Sequence, residues 1–226
     1  MKNFFKLSAL AAVLVASAAV ASADTITIGS YSGVNPGGYS NTATVYSGPA
    51  TATAQPGSAT VPAGTTATFK VTDNAPWHAA QGSSEWVSFA ANTGCCLNVV
   101  APNAWYGYYT TFTLTNAALD SGFISVLADD TTSVYLNGVL IMAPAGGPNA
   151  TCQDATPNCL TPTLVALTGL INGTNVLYFD VHQSNNDATG LNFVGAVNPV
   201  PEPSTLLMLG TGLVGSAGAL FRRMRS

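Results

Sequence analysis

Two adjacent carboxylates, Asp129 and Asp130, are the residues of this 226-residue chain best suited to chemistry. Paired acids serve as proton donor and acceptor in glycoside hydrolysis, or as hard oxygen ligands for a cation. Neighbours on an extended strand point to opposite faces, which argues against concerted acid–base work by this pair. At a strand end the two acids, together with Asn137, form a calcium candidate. Asp at such ends also accepts hydrogen bonds from nearby amides, its more ordinary use. Glu85 is the one Glu between Asp24 and Val200, and the chain carries no nucleophile elbow, HExxH pattern or phosphate loop. The sequence therefore reads as a non-enzyme.

Three further groups have chemical potential. Trp77 and Trp86 are sugar-stacking candidates, Trp77 best placed because it follows Pro76 in a loop-like stretch, whereas Trp105 reads as core or its edge. His182 lies two residues from Asp180 on the face of a strand expected to look outward, and joins the ligand-binding candidates. Cys95, Cys96, Cys152 and Cys159 are expected to form two disulfides in an exported domain; four cysteines allow three pairings, and no His stands near either pair to favour zinc.

The elements that must position these residues are strands. Period-two alternation recurs and helical periodicity is absent from the central chain. Tyr108, Phe112 and Leu114 share one face of a strand, as do Ile124, Val126 and Ala128 of the next. Asn137-Gly138, between two β-rich runs, predicts a type I′ hairpin. Leu177, Phe179 and Val181 form a core face, which turns Tyr178, Asp180 and His182 outward and makes Tyr178 cheaper to truncate than Phe179. A last strand covers residues 190–197. Residues 25–28, 42–46 and 67–71 also read as strands, and the Pro/Gly/Ala/Thr-rich stretch 48–64 as a long loop. Many short strands with turn signals between them predict an all-β sandwich over residues 24–200.

The two ends differ from that domain. Lys2 and Lys6 precede an apolar run from Leu7 to Val20 and the small-residue pattern Ala21-Ser22-Ala23, which predicts a signal peptide over residues 1–23. At the other end Pro201-Glu202-Pro203 leads to an apolar stretch, read as a transmembrane helix over about residues 205–221, and to Arg222, Arg223 and Arg225. The formal charge of −4 is misleading, because five of the six cations lie in these ends. From Asp24 through Val200, Asp24 included, nine carboxylates face one ammonium, Lys70. That balance excludes nucleic-acid binding, which needs basic phosphate contacts.

The Pro-Glu-Pro, apolar stretch and arginine cluster resemble a PEP-CTERM sorting signal over residues 201–226. The resemblance implies recognition of Pro201, Glu202, Pro203, Arg222, Arg223 and Arg225 by an exosortase-type processing enzyme. It also implies a precursor held in the inner membrane and delivery to a cell surface or exopolysaccharide-rich matrix. Within residues 105–197, three segments resemble galactose-binding-like jelly rolls: Trp105-Tyr106-Gly107-Tyr108, Val134-Tyr135-Leu136-Asn137-Gly138, and Leu170-Ile171-Asn172-Gly173-Thr174-Asn175. That resemblance implies a jelly-roll β-sandwich and, as partner, extracellular polysaccharide. No cofactor other than the candidate calcium is expected.

Overall fold

Wherever the alternation is strong the chain is a strand, and the strands sort into two six-stranded antiparallel sheets. The computed structural model describes residues 25–31, 45–50, 57–91, 93–94, 100–115, 117, 121–144, 152, 156–184 and 186–198. It also describes residues 210, 212–213, 215–216 and 222–223. The first sheet holds β1 (Ile26–Gly29), β4 (Phe69–Lys70), β5 (Val87–Ser88), β7 (Ser121–Asp129), β10 (Thr163–Ala166) and β12 (Gly190–Asn198). The second holds β2 (Val45–Ala50), β3 (Thr66–Ala67), β6 (Ala104–Leu114), β8 (Thr131–Leu136), β9 (Val139–Met142) and β11 (Gly173–Gln183). From β6 onward the chain alternates between sheets, with the β8–β9 hairpin kept in one. This is the winding of a jelly roll.

The inner faces meet in one apolar core. Tyr106, Tyr108, Phe112 and Leu114 of β6 and Leu177, Phe179 and Val181 of β11 join Ile124, Val126 and Ala128 of β7 and Leu191, Phe193 and Val197 of β12. Phe179 stacks on Phe193 across the sheets at 4.4 Å. The register inferred from period two is the observed one. Asn137 and Gly138 both have positive φ, 52° and 82°, as a type I′ turn demands.

Three expectations are corrected. The stretch 48–64 is not all loop, since β2 runs on to Ala50 and pairs Pro49 with Tyr106 after a register shift. Residues 67–71 are not one strand: β3 belongs to the second sheet and β4 to the first, and the chain changes sheets between them. The face of β11 opposite the core is not solvated either. Tyr178 and Asp180 are wholly buried and His182 is 8% exposed. The cause is a second apolar cluster, in which Tyr178 packs with Tyr109, Val176 and Tyr135, and Gly57 lies so close over the Tyr135 ring that no side chain would fit there.

Candidate functional site

Strand β7 ends at Asp129 and β8 begins at Thr131, so Asp130 is the single residue that turns the chain from one sheet to the other. Strand alternation stops at such a corner, and the expectation that the two carboxylates point apart fails for that reason. Their carboxyl groups lie near enough to interact electrostatically, and the Asp129–Asp130 peptide is cis. Asp129 Oδ2 accepts from Trp77 Nε1 at 2.8 Å, and Thr189 Oγ1 donates to its carbonyl at 2.9 Å. Asp130 Oδ2 accepts from both the amide and the hydroxyl of Ser184, each at 2.7 Å. Burial, reinforced by the negative charge of Asp130, pushes Asp129 up to about 9. At neutral pH Asp129 is thus held in its protonated form.

The calcium set does not converge. Asn137 sits in the β8–β9 turn, where its Oδ1 accepts from Val176 N at 2.9 Å and its Nδ2 donates to Asn175 Oδ1 at 3.0 Å and to Gly169 O at 3.1 Å. Its amide is spent tying the hairpin to β11 and its approach, and Oδ2 of each acid already accepts from a protein donor.

Trp77 and Trp86 are 7% and 1% exposed, so neither offers an open stacking platform. Their rings pack at 4.3 Å, and Trp86 Nε1 donates to His78 O at 3.0 Å. They lie against β12 because residue 190 is glycine: a methyl there would stand 2.9 Å from the Trp77 ring and 3.1 Å from that of Trp86. Val71, Leu127, Ala188 and Cys159 complete this cluster on the outer side of the first sheet. Cys159 is disulfide-bonded to half-buried Cys152, with Cα atoms 5.2 Å apart. Besides the disulfide, hydrogen bonds hold the segment carrying Cys159. His78 N donates to Cys159 O at 2.8 Å and Ala128 N to Asn158 O at 3.1 Å, while Asn158 Oδ1 accepts from Leu160 N at 2.9 Å. Cys95 and Cys96 lie outside the described residues.

His182 reaches the same corner through its backbone, whose carbonyl accepts from Asp130 N at 2.8 Å. Its ring packs at 4.4 Å on the half-buried Trp105, and burial lowers its proton affinity against the opposing pull of Asp130. Along the same face, Tyr178 donates to Asp180 Oδ1 at 3.0 Å and stacks on Tyr109 at 4.6 Å. Burial, then Asp180, drives the Tyr178 hydroxyl far above the ordinary phenol range. The structure therefore gathers Asp129, Asp130, Trp77, Trp86, Cys152 and Cys159 at one corner, with His182 adjoining and Asn137 elsewhere. Sequence reasoning missed the Tyr109–Tyr178–Tyr135 row. Its signal was the alternate series Val176, Tyr178, Asp180, His182, which is too apolar at its start for an open face.

Beyond β12 the chain changes character at once. Residues 199–225 match the family model of the PEP-CTERM protein-sorting motif. The chain ends in a PEP-CTERM motif. This motif starts directly after Asn198, the last residue of β12. Within the PEP-CTERM segment, Gly210, Gly212, Leu213, Gly215, Ser216, Arg222 and Arg223 are helical, and Ser216 Oγ donates to Gly212 O at 2.6 Å, one turn back. Among the described residues no helix is long and apolar enough to cross a membrane. Pro201, Glu202, Pro203 and Arg225 of the motif, and residues 1–24, lie outside the described residues. No curated protein matches the chain in sequence. Among solved structures, a family 35 carbohydrate binding module from Clostridium thermocellum is 15% identical over 57% of this chain and 86% of its own, with a TM-score of 0.31. Another family 35 module, from an environmental isolate, is 11% identical over 61% and 92%, with a TM-score of 0.32. The fold assignment rests on the strand order itself.

Proposed function

We propose that this chain is an exported, exosortase-sorted surface or matrix protein whose β-sandwich is a non-catalytic module that contacts extracellular polysaccharide. The observation that carries the reading is the PEP-CTERM motif set directly behind a finished sandwich. Residues 1–23 direct the chain into export, and about residues 205–221 hold the precursor in the inner membrane. Arg222, Arg223 and Arg225 keep the tail from being pulled through, since each would cross hydrocarbon at roughly 2.5–3.5 kcal/mol. Pro201 and Pro203 lack N–H groups and have fixed φ, which keeps the segment around Glu202 extended for a processing enzyme.

The polysaccharide contact is supported by surface chemistry. Thr, Ser and Asn side chains supply hydroxyl and amide partners, and half-buried Trp105, backed by His182, is the tryptophan with surface left to offer. The excess of carboxylates over Lys70 repels anionic polymers, so the glycan class is neutral. Lys70 is itself engaged, 2.6 Å from Glu85. Catalysis is disfavoured because the adjacent Asp129 and Asp130 are buried and hydrogen-bonded to Trp77 and Ser184.

Changing Pro201-Glu202-Pro203 to alanines is expected to leave uncut precursor in the membrane fraction, while Arg222, Arg223 and Arg225 changed together to Ser should let precursor mislocalise. On a glycan array the sandwich should bind neutral polysaccharides and lose that binding in Trp105→Ala. A normally processed alanine variant would refute the sorting role. An array with no binding would leave a structural surface protein without a specific ligand.

A further inference from the structure

The geometry points to a second use for the corner where the disulfide meets the acid pair: with Cys152 and Cys159 reduced, their thiolates and the Asp129 carboxylate form a three-ligand site for a thiophilic divalent cation of the zinc class. The ligand atoms of these three residues all lie within 4.8 Å of one another. Metal–sulfur bonds of about 2.3 Å and metal–oxygen bonds of about 2.0–2.2 Å place tetrahedral ligands about 3.5–3.8 Å apart, a spacing that opening the S–S bond makes accessible. Two residues of the set are nearly inaccessible, Cys159 wholly buried and Asp129 5% exposed, while Cys152 is half-buried and gives the entry side. Three protein ligands leave a fourth position for water. Thiolate donors select zinc-like ions over calcium and magnesium, which prefer all-oxygen shells.

The surroundings suit a metal ligand. Trp77 Nε1 donates to Asp129 Oδ2, which orients the carboxylate, the outer-shell arrangement that positions ligands elsewhere. Backbone bonds from His78 to Cys159 and from Ala128 to Asn158 hold the cysteine loop independently of the disulfide. The thiol state precedes the disulfide in any newly exported chain. From the disulfide, a dithiol reductant supplies two electrons and two protons and leaves as its own disulfide. Metal entry then releases the two thiol protons together with any proton carried by the Asp129 carboxyl. The ion ties Cys152 to Cys159 under reducing conditions, as the disulfide does under oxidising ones.

The test uses the full chain in detergent, reduced with a phosphine under anaerobic conditions and titrated with Co(II) alone. One Co(II) per chain should bind, giving a sulfur-to-metal charge-transfer band and the visible bands of four-coordinate cobalt. The oxidised chain should give neither. Asp129→Asn should weaken binding about tenfold or more, with the near-ultraviolet dichroism of the tryptophans retained. Cys152→Ser with Cys159→Ser should abolish the band, whereas Cys95→Ser with Cys96→Ser should leave it. The inference is overturned by a reduced chain that stays colourless at saturating Co(II), by a band that follows Cys95 and Cys96 instead, or by equal affinity in Asp129→Asn.

Discussion

Asp129→Asn is expected to stabilise the sandwich at pH 7 and above and to flatten its loss of stability toward alkaline pH. The folded Asp129 holds its proton up to about pH 9, against an ordinary value of 3.8, because burial and the charge of Asp130 penalise the anion. A group whose affinity for protons is raised by folding contributes its full stability below the unfolded value and loses it as pH climbs through the folded one. Between those limits the folded state binds one more proton than the unfolded chain, and stability falls by about 1.4 kcal/mol per pH unit. His182 works in the opposite sense below about pH 6.5, since burial lowers its affinity, so the clean window is pH 7 to 9. Asn needs no proton. Its oxygen can still accept from Trp77 Nε1, preserving that bond of the native acid. Across the window wild type should lose roughly 2–3 kcal/mol and the variant much less, read from urea midpoints at each pH. Parallel profiles would show that the pair titrates as two ordinary carboxylates.

Phe179→Ala and Tyr178→Ala should destabilise the domain by similar amounts, each about 3–5 kcal/mol. Phe179 fills the space between the sheets and stacks on Phe193. Tyr178 points the other way yet is equally buried, between Tyr109 and Tyr135. Tyr178→Phe keeps the stack and removes only the bond to Asp180, which makes it the milder change at about 1–3 kcal/mol. Equilibrium unfolding of the three variants decides the matter. A cost below about 1 kcal/mol for Tyr178→Ala would mean that this face is open to water, as the alternation alone suggests.

That comparison marks where the sequence is legible. Period two identifies strands and separates their faces, and it assigns Leu177, Phe179 and Val181 to the core correctly. It cannot say whether the opposite face is covered, because covering depends on segments distant in sequence, such as the one carrying Gly57. The Asn137-Gly138 hairpin is legible because its backbone conformation is written in two residue types. β5 and β10 are not, being two and four residues long and held in place by β12 and β7. At the candidate site the residue types are visible, but Asp129, Trp77 and Cys159 span 82 positions and meet only at a sheet corner. A local rule assigns the two acids to opposite faces, and the corner defeats that rule.

The sorting motif is legible for the opposite reason, since its proline–acid–proline, apolar and basic parts are contiguous. The most direct test is C-terminal peptide mapping of the protein recovered from the cell surface or medium of a host that processes PEP-CTERM proteins. The chain should end near Pro201 to Ser204, with the apolar stretch and all three arginines gone. Recovery of surface protein that still carries Phe221 to Ser226 would contradict the proposed sorting and make the C-terminal segment a permanent anchor.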